Sequence, residues 1–83
     1  EEQISISHKM EMFPNPAGDR LNVMVPESNW QLEMFDLRGA IVHQQAVYSS
    51  NVTIDLSGIP AGQYLVKITS NSGVRIGNVV VVK

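Results

Sequence analysis

The stretch "IDLSGIPAGQYLVKI" (residues 54–68) decides the fold class of this sequence. It begins and ends with alternating apolar and polar residues, which is the period of a half-buried β-strand. Between the two runs, the glycines and the proline of "SGIPAG" (57–62) predict a tight turn. That turn brings Tyr64 to the start of a strand, which resembles the tyrosine corner of β-sandwiches. Gly62 would allow the sharp change of direction.

The same period of two recurs on both sides of this stretch, and no window sustains a helical pattern. The alternating runs are "RLNVMV" (20–25), "NWQLEMFDL" (29–37), "AIVHQQAVY" (40–48), "VTIDL" (52–56) and "QYLVKIT" (63–69). Turn-forming residues separate them at spacings of about 8–12 residues, which is typical of a sandwich. The sequence therefore predicts an all-β fold, a small antiparallel Ig-like β-sandwich of about seven strands.

Three local features refine this prediction. Asp36 and Gly39 occupy the first and fourth positions of a type I turn. Gly73 can take a positive φ in a short hairpin loop at "NSG" (71–73). Because Leu37 breaks the alternation before it, we expect a bulge near residues 35–36 that turns Leu37 toward the core.

Length and charge limit the possible functions. The chain has 83 residues, enough for one domain, and 43% of them are apolar, as in a folded globular protein. A net charge of −2 argues against a nucleic-acid partner and against a basic membrane patch. No apolar run reaches the roughly 20 residues of a membrane-spanning helix. The absence of cysteine fits a cytosolic protein or an exported one equally well.

Residues that could carry out chemistry are scarce. The two histidines, His8 and His43, lie far apart, and there is no cysteine to complete a zinc site. Glu33, Asp36 and Asp55 fit solvent-facing strand and turn positions better than an acid–base pair. No nucleophile elbow, phosphate loop or dinucleotide fingerprint occurs. The sequence thus predicts no catalytic residue, no metal, no cofactor and no enzymatic activity.

Four blocks, taken in order, resemble the C-terminal sorting domains of the type IX secretion system (the Por secretion tail family). They are "FPNPAGDRLNVMV" (13–25), "LEMFDLRGAIV" (32–42), "IDLSGIPAGQYLVKI" (54–68) and the closing "VVVVK" (79–83). The motif positions, interpreted as structural turns and core, are Pro14, Asn15, Pro16, Asp36, Gly39, Asp55, Leu56, Gly62 and Tyr64. On this division residues 13–83 form the sorting domain, and residues 1–12, with "ISISHKM" (4–10), form a tether or a first strand.

The resemblance implies a delivery function. Such a domain directs an N-terminal cargo on the same chain from the periplasm through an outer-membrane translocon to the cell surface or the medium. A surface sortase-like peptidase then removes it. The implied partners are translocon and sortase proteins, with no nucleic acid and no direct membrane insertion. Because "EEQISISHK" (1–9) lacks the regions of a signal peptide, we expect the export signal to lie outside this sequence.

The closing strand suggests how such a signal could be read. Val80 and Val82 alternate with Val79 and Val81, so both faces of the strand are apolar, and we expect both to be covered. If the strand lies at a sheet edge, a translocon component could pair with it by β-strand addition. The segment assigned to recognition is then Val79, Val80, Val81, Val82 and Lys83. The alternative is a central strand, paired on both sides.

Two other functions remain open from the residues alone. One is a non-catalytic accessory module, fibronectin-like or carbohydrate-binding, in which exposed aromatic side chains would contact the ligand. The other is a purely structural spacer.

Overall fold

The structure is a computed structural model that describes residues 10–83. It contains seven strands: β1 (Glu11–Phe13), β2 (Arg20–Met24), β3 (Trp30–Asp36), β4 (Ile41–Val47), β5 (Asn51–Asp55), β6 (Gly62–Ser70) and β7 (Gly73–Val81). No helix in this part of the chain is long and apolar enough to cross a membrane.

The strands form two antiparallel sheets, in the orders β1-β2-β5 and β4-β3-β6-β7. Apolar residues from both inner faces meet in one core. The largest fully buried side chains are Leu21, Val23, Leu32, Met34, Ile54, Leu56, Val66, Ile68, Val79 and Val81. The molecule is therefore the seven-stranded β-sandwich that the alternating runs predict.

Alternation along each strand explains which face is buried. Trp30, Leu32 and Met34 of β3 point into the core, as do Tyr64, Val66 and Ile68 of β6. Burying a large apolar side chain contributes roughly 1.5–3 kcal/mol, so these positions fix the register of each strand.

The turn after β3 follows the sequence prediction at Asp36 and Gly39 and contradicts it at Leu37. The Gly39 N–H donates to the Asp36 carbonyl at 3.0 Å, and Gly39 has a φ of +91°. The Asp36 carboxylate accepts from the N–H groups of Arg38 and Ala40. These bonds end the strand at Asp36, so Leu37 lies on the turn and is 68% exposed rather than buried.

The predicted bulge lies one strand away from the expected site. β3 continues unbroken against β6 as far as Asp36. Its pairing with β4 shifts, because Met34 pairs with His43 and Phe35 pairs with Ile41. The extra residue is therefore Val42 of β4.

The start of the domain is described only in part. β1 begins at Glu11 and so crosses the boundary predicted between residues 12 and 13. The prediction of a tether or strand over residues 1–12, including "ISISHKM", otherwise lies outside the described residues.

Candidate functional site

The last strand, β7, lies at the edge of the four-stranded sheet, so it is not a central strand, but its valine end is paired on both sides, by β6 and by the loop residue Ala17. Its register with β6 is continuous from the pair Gly73–Ser70 to the pair Val81–Gly62. Val79 and Val81 are buried in the core, whereas Val80 is 36% exposed and Val82 48% exposed. Of the two apolar faces, the domain itself buries one and leaves the other accessible.

The outer edge of β7 is partly closed by the loop between β1 and β2. The Ala17 N–H donates to the Val80 carbonyl, and the Val82 N–H donates to the Ala17 carbonyl, each at 2.8 Å. The Asn15 side chain donates through Nδ2 to the Asn78 carbonyl and accepts through Oδ1 from the Val80 N–H, each at 3.2 Å. Asn15 and Ala17, which we call the edge clamp, thus occupy the place of a parallel neighbouring strand.

Because of two prolines, the clamp uses the side chain of Asn15 where a strand would use a backbone peptide group. Pro14 and Pro16 carry no N–H, so within residues 14–17 only Asn15 and Ala17 offer backbone donors. Both prolines follow cis peptide bonds. The Asn15 carboxamide has one donor group and one acceptor, as a peptide group does, and it can therefore replace one rung of the ladder. Sequence reasoning placed Asn15 in a turn and missed the clamp, although the Pro-Asn-Pro pattern signals it.

The chain end is held by its last residue. The Lys83 ammonium donates to the Leu56 carbonyl at 2.7 Å. Leu56 is fully buried, and its N–H donates to the Asp19 carbonyl. The Ser57 N–H bound to the Asp55 carboxylate holds the pKa of that carboxyl below its ordinary value, and the charge of Lys83 adds to the effect. Asp55 and Leu56 therefore help to hold the end of the terminal strand in place.

The tyrosine corner meets the same end of β7. The Tyr64 hydroxyl donates to the Pro60 carbonyl at 2.6 Å, and this bond to backbone a few residues upstream is the one that defines a tyrosine corner. Gly62 has a φ of +152°, in the region that favours glycine. Gly62 pairs with Val81, and Tyr64 pairs with Val79. The tyrosine corner thus holds in place the part of β6 that pairs with Val79 and Val81.

A surface pocket of about 200 Å³ opens beside the exposed Val80. Its lining consists of Leu37, Gln63, Tyr64, Asn78, Val79 and Val80. Leu37, which we expected in the core, therefore lies on the same surface as Val80.

The other end of β7 carries an ion pair that the sequence did not reveal. The Arg75 guanidinium donates to the Glu27 carboxylate of the loop between β2 and β3, and both side chains are largely buried. This hydrogen bond is the largest cause that lowers the pKa of Glu27 to about 2, from an ordinary 4.5. The two residues are 48 positions apart, so only the fold brings them together.

His43 and Asp36, which the sequence analysis considered as chemical groups, contact side chains two positions away in the sequence. His43 lies 2.7 Å from the Gln45 side chain, measured from Nε2 to Oε1. Asp36 forms an ion pair with Arg38, with 2.9 Å between Oδ2 and Nη2. The hydrogen bond from Arg38 is the largest cause that lowers the pKa of Asp36. Over residues 10–83 no three His, Cys, Asp or Glu side chains gather in a way that could hold a metal ion. His8 lies outside the described residues.

Comparison with known proteins identifies a family. A family model described as "Secretion system C-terminal sorting domain" matches residues 11–83. No curated protein matches the chain significantly.

Two solved structures share the fold at low sequence identity. The first is PorZ of Porphyromonas gingivalis, described as an essential surface component of the type IX secretion system, with a TM-score of 0.79 and 15% identity over 89% of this chain. This chain covers 11% of PorZ. The second is a DUF3244-family protein of Bacteroides vulgatus with an immunoglobulin-like β-sandwich. Its TM-score is 0.73 and its identity 21%, over 88% of this chain and 83% of that one.

Proposed function

This chain belongs to the family of secretion-system C-terminal sorting domains, and we propose that it is the detachable sorting label of a larger cargo protein. Domains of this family mark a protein for export to the cell surface or the medium. In our proposal the cargo first reaches the periplasm, and the folded domain then directs it through the type IX translocon. A surface sortase-like peptidase finally removes the domain. The family match over residues 11–83 carries the proposal.

On this proposal the domain acts as a ligand and a substrate. Two of its aromatic side chains, Trp30 and Tyr64, are buried in the core and cannot stack on a sugar, whereas Phe13 and Tyr48 are exposed. The indole N–H of Trp30 also donates to the Ser49 carbonyl at 2.6 Å, which holds the ring in place. The family match, rather than the aromatic side chains, therefore supports a sorting domain over a carbohydrate-binding module.

The recognised segment is the end of β7, and the two faces of this strand differ in what a partner can reach. Val79 and Val81 are buried, and the Lys83 ammonium is bound to Leu56. Val80 and Val82 are exposed, and Val80 lines the pocket. We therefore assign direct recognition to Val80 and Val82, and the support of the strand to the other three residues.

Export of a reporter cargo tests the proposed function. The cargo, preceded by a periplasmic signal peptide, is joined to residues 1–83 and expressed in a bacterium that has the type IX system. Protease accessibility of whole cells then measures the fraction at the surface. We expect the fused cargo at the surface without the domain, as mass spectrometry would show, and the unfused cargo in the periplasm. Equal surface fractions for both cargoes would refute the function, and an uncleaved surface cargo would refute the peptidase step.

A further inference from the structure

β7 is the longest of the strands at the sheet edges, and its sequence does little to prevent pairing with another strand. Among residues 10–83 the other edge strands are β1, β4 and β5. β1 has only three residues, β4 is bulged at Val42, and the exposed side chains of β5 are all polar. Such features discourage pairing between chains. β7 has nine residues, no proline and no shift in its register with β6, so its protection comes from the edge clamp.

Every second residue of β7 directs its backbone groups away from β6. The bonds to the edge clamp show this direction at Asn78, Val80 and Val82. Because the direction alternates along an antiparallel ladder, Val74 and Ile76 also direct their N–H and C=O groups outward. The side chains of these five residues share one face of the sheet, and all five are exposed. The edge thus combines outward backbone groups with an accessible, mostly apolar face.

These five residues are arranged symmetrically about Asn78. A β-branched apolar residue lies two and four positions away on each side, Ile76 and Val74 before Asn78 and Val80 and Val82 after it. In an antiparallel pair of two β7 strands centred on Asn78, Ile76 would face Val80 of the second copy, and Val74 would face Val82 of the second copy. Cross-strand pairs of this kind stabilise a sheet.

The centre of this arrangement also suits a second copy. Two facing Asn78 side chains can exchange hydrogen bonds, because each carries a donor group and an acceptor. The edge is therefore complementary to itself, which a two-fold dimer requires and which favours a second copy over other occupants.

We propose that β7 is a dimerisation edge, along which two copies of this chain pair antiparallel about Asn78, and that the edge clamp holds it in an autoinhibited state. The clamp bonds to the Asn78 carbonyl, to the N–H and the carbonyl of Val80 and to the N–H of Val82. A second copy needs the same groups, so it pairs along the whole strand only after Asn15 and Ala17 have left them. While the clamp is closed, the chain is a monomer, and the side chains of Val80 and Val82 remain accessible.

Weakening the clamp should strengthen the dimer, which the loss of a merely structural contact would not do. Sedimentation equilibrium of the 83-residue chain measures the association constant, and thermal unfolding verifies that each variant is folded. Asn15→Ala removes one rung of the clamp from each copy, so we expect the association constant to rise about thirtyfold. Below the dissociation constant the variant stays monomeric, and its loosened clamp is then observed alone. If Asn15→Ala does not fold, Asn15→Ser, whose shorter side chain cannot span both Asn78 and Val80, takes its place.

Asn78→Asp tests the symmetry axis in the Asn15→Ala background. It places two carboxylates opposite each other at the centre of the dimer, which should weaken the association by about tenfold. The clamp is kept in this test, because it bonds to the backbone carbonyl of Asn78 and not to the side chain. Asn71→Asp is the matched control, since it adds the same charge in the exposed loop between β6 and β7. It should change the association constant less than about twofold.

A single cysteine tests the register, because the chain itself contains none. In the proposed dimer the two Cα atoms of residue 78 lie about 5.5 Å apart, within the range of a disulfide bond. Oxidised glutathione serves as the two-electron oxidant of the two thiols. Asn78→Cys in the Asn15→Ala background should then become a disulfide-linked dimer much faster than Asn71→Cys in the same background.

A folded Asn15→Ala variant that stays monomeric would overturn the inference and leave the edge to another occupant. A dimer that Asn78→Asp does not weaken, or that forms no disulfide at position 78, would show a different interface and overturn the inference equally. None of these measurements involves a cargo, so the sorting function is tested separately.

Discussion

At the scale of single residues, polar side chains replace missing backbone contacts. Asn15 supplies both partners of one rung at the edge of β7, and Lys83 satisfies the Leu56 carbonyl. Of the motif positions, Asn15, Leu56, Gly62 and Tyr64 therefore contact the last strand or the residues that follow it, whereas Asp36 and Gly39 close the turn after β3. Each of these hydrogen bonds contributes only about 1 kcal/mol net to the free energy of unfolding. The loss of one is therefore easier to detect at the affected backbone N–H than in the stability of the whole domain.

Asn15→Ala should expose the Val80 N–H to solvent exchange. Because that N–H donates to Asn15 Oδ1, its hydrogen-exchange rate should rise about tenfold, whereas that of Val79, which faces β6, should change little. Asn15→Asp is the control, since it keeps an acceptor for Val80 while it loses the donor to Asn78 and adds a negative charge there. Unchanged exchange at Val80 in the alanine variant would show that the clamp does not hold.

Tyr64→Phe should destabilise the domain by about 1–2 kcal/mol, because it leaves the Pro60 carbonyl without its hydroxyl partner. Denaturant unfolding measures the change. Tyr48→Phe removes a hydroxyl from an exposed side chain and should stay within about 0.5 kcal/mol of the unaltered protein. Equal effects of the two changes would argue against the tyrosine corner as a stabilising element.

At the scale of the element, β7 combines three environments along one strand. Its inner face supplies Val79 and Val81 to the core, its far end is clamped, and its start is held through Arg75. The run of four valines predicted a strand and an apolar character on both faces. It could not tell which face the domain buries, because a period of two fixes only that Val79 and Val81 lie opposite Val80 and Val82.

The contact between Glu27 and Arg75 predicts a dependence of stability on pH. The pKa of Glu27 is lowered to about 2 in the folded protein. A carboxyl with a lowered folded-state pKa stabilises the fold above its ordinary value and loses that effect as the pH falls. Between pH 4.5 and about 2, the free energy of unfolding should therefore fall more steeply in the unaltered protein than in Glu27→Gln.

Denaturant unfolding at a series of pH values compares the two proteins. They should differ most near neutral pH and converge toward pH 2. Asp36 and Asp55 also have lowered pKa values, so both curves fall in acid, and only their difference reports Glu27. Parallel curves would show that Arg75 does not stabilise the charged form of Glu27.

At the scale of the whole molecule, the terminal strand is part of the core as well as of the proposed signal. A domain of this size is stable by roughly 5–10 kcal/mol. Val79 and Val81 together contribute roughly 3–6 kcal/mol by burial. Deletion of residues 79–83 should therefore unfold the domain, with a loss of the cooperative thermal transition and rapid proteolysis. A folded deletion variant would contradict the assignment of these valines to the core.

The sequence predicts the sandwich well, because alternation and turn residues are local signals. The same locality explains what it missed. The edge clamp joins residues 63 and 65 positions apart, and the pair Glu27–Arg75 joins residues 48 apart. Leu37 was misplaced because the strand was expected to continue through a bulge as far as this residue, whereas the Asp36 carboxylate ends the strand. Such contacts depend on the fold and leave no periodic trace.

The most direct test of the account compares export by two double variants of the cargo joined to residues 1–83. Val80→Thr with Val82→Thr changes only the exposed face and should keep stability within about 0.5 kcal/mol per site. Val79→Thr with Val81→Thr buries two hydroxyls at a cost of roughly 1–3 kcal/mol each and serves as the stability reference. The account predicts that the first variant stays folded, as thermal unfolding would show, and that its cargo is largely lost from the cell surface. A folded Val80→Thr, Val82→Thr domain that delivers its cargo as efficiently as the unaltered chain would contradict it.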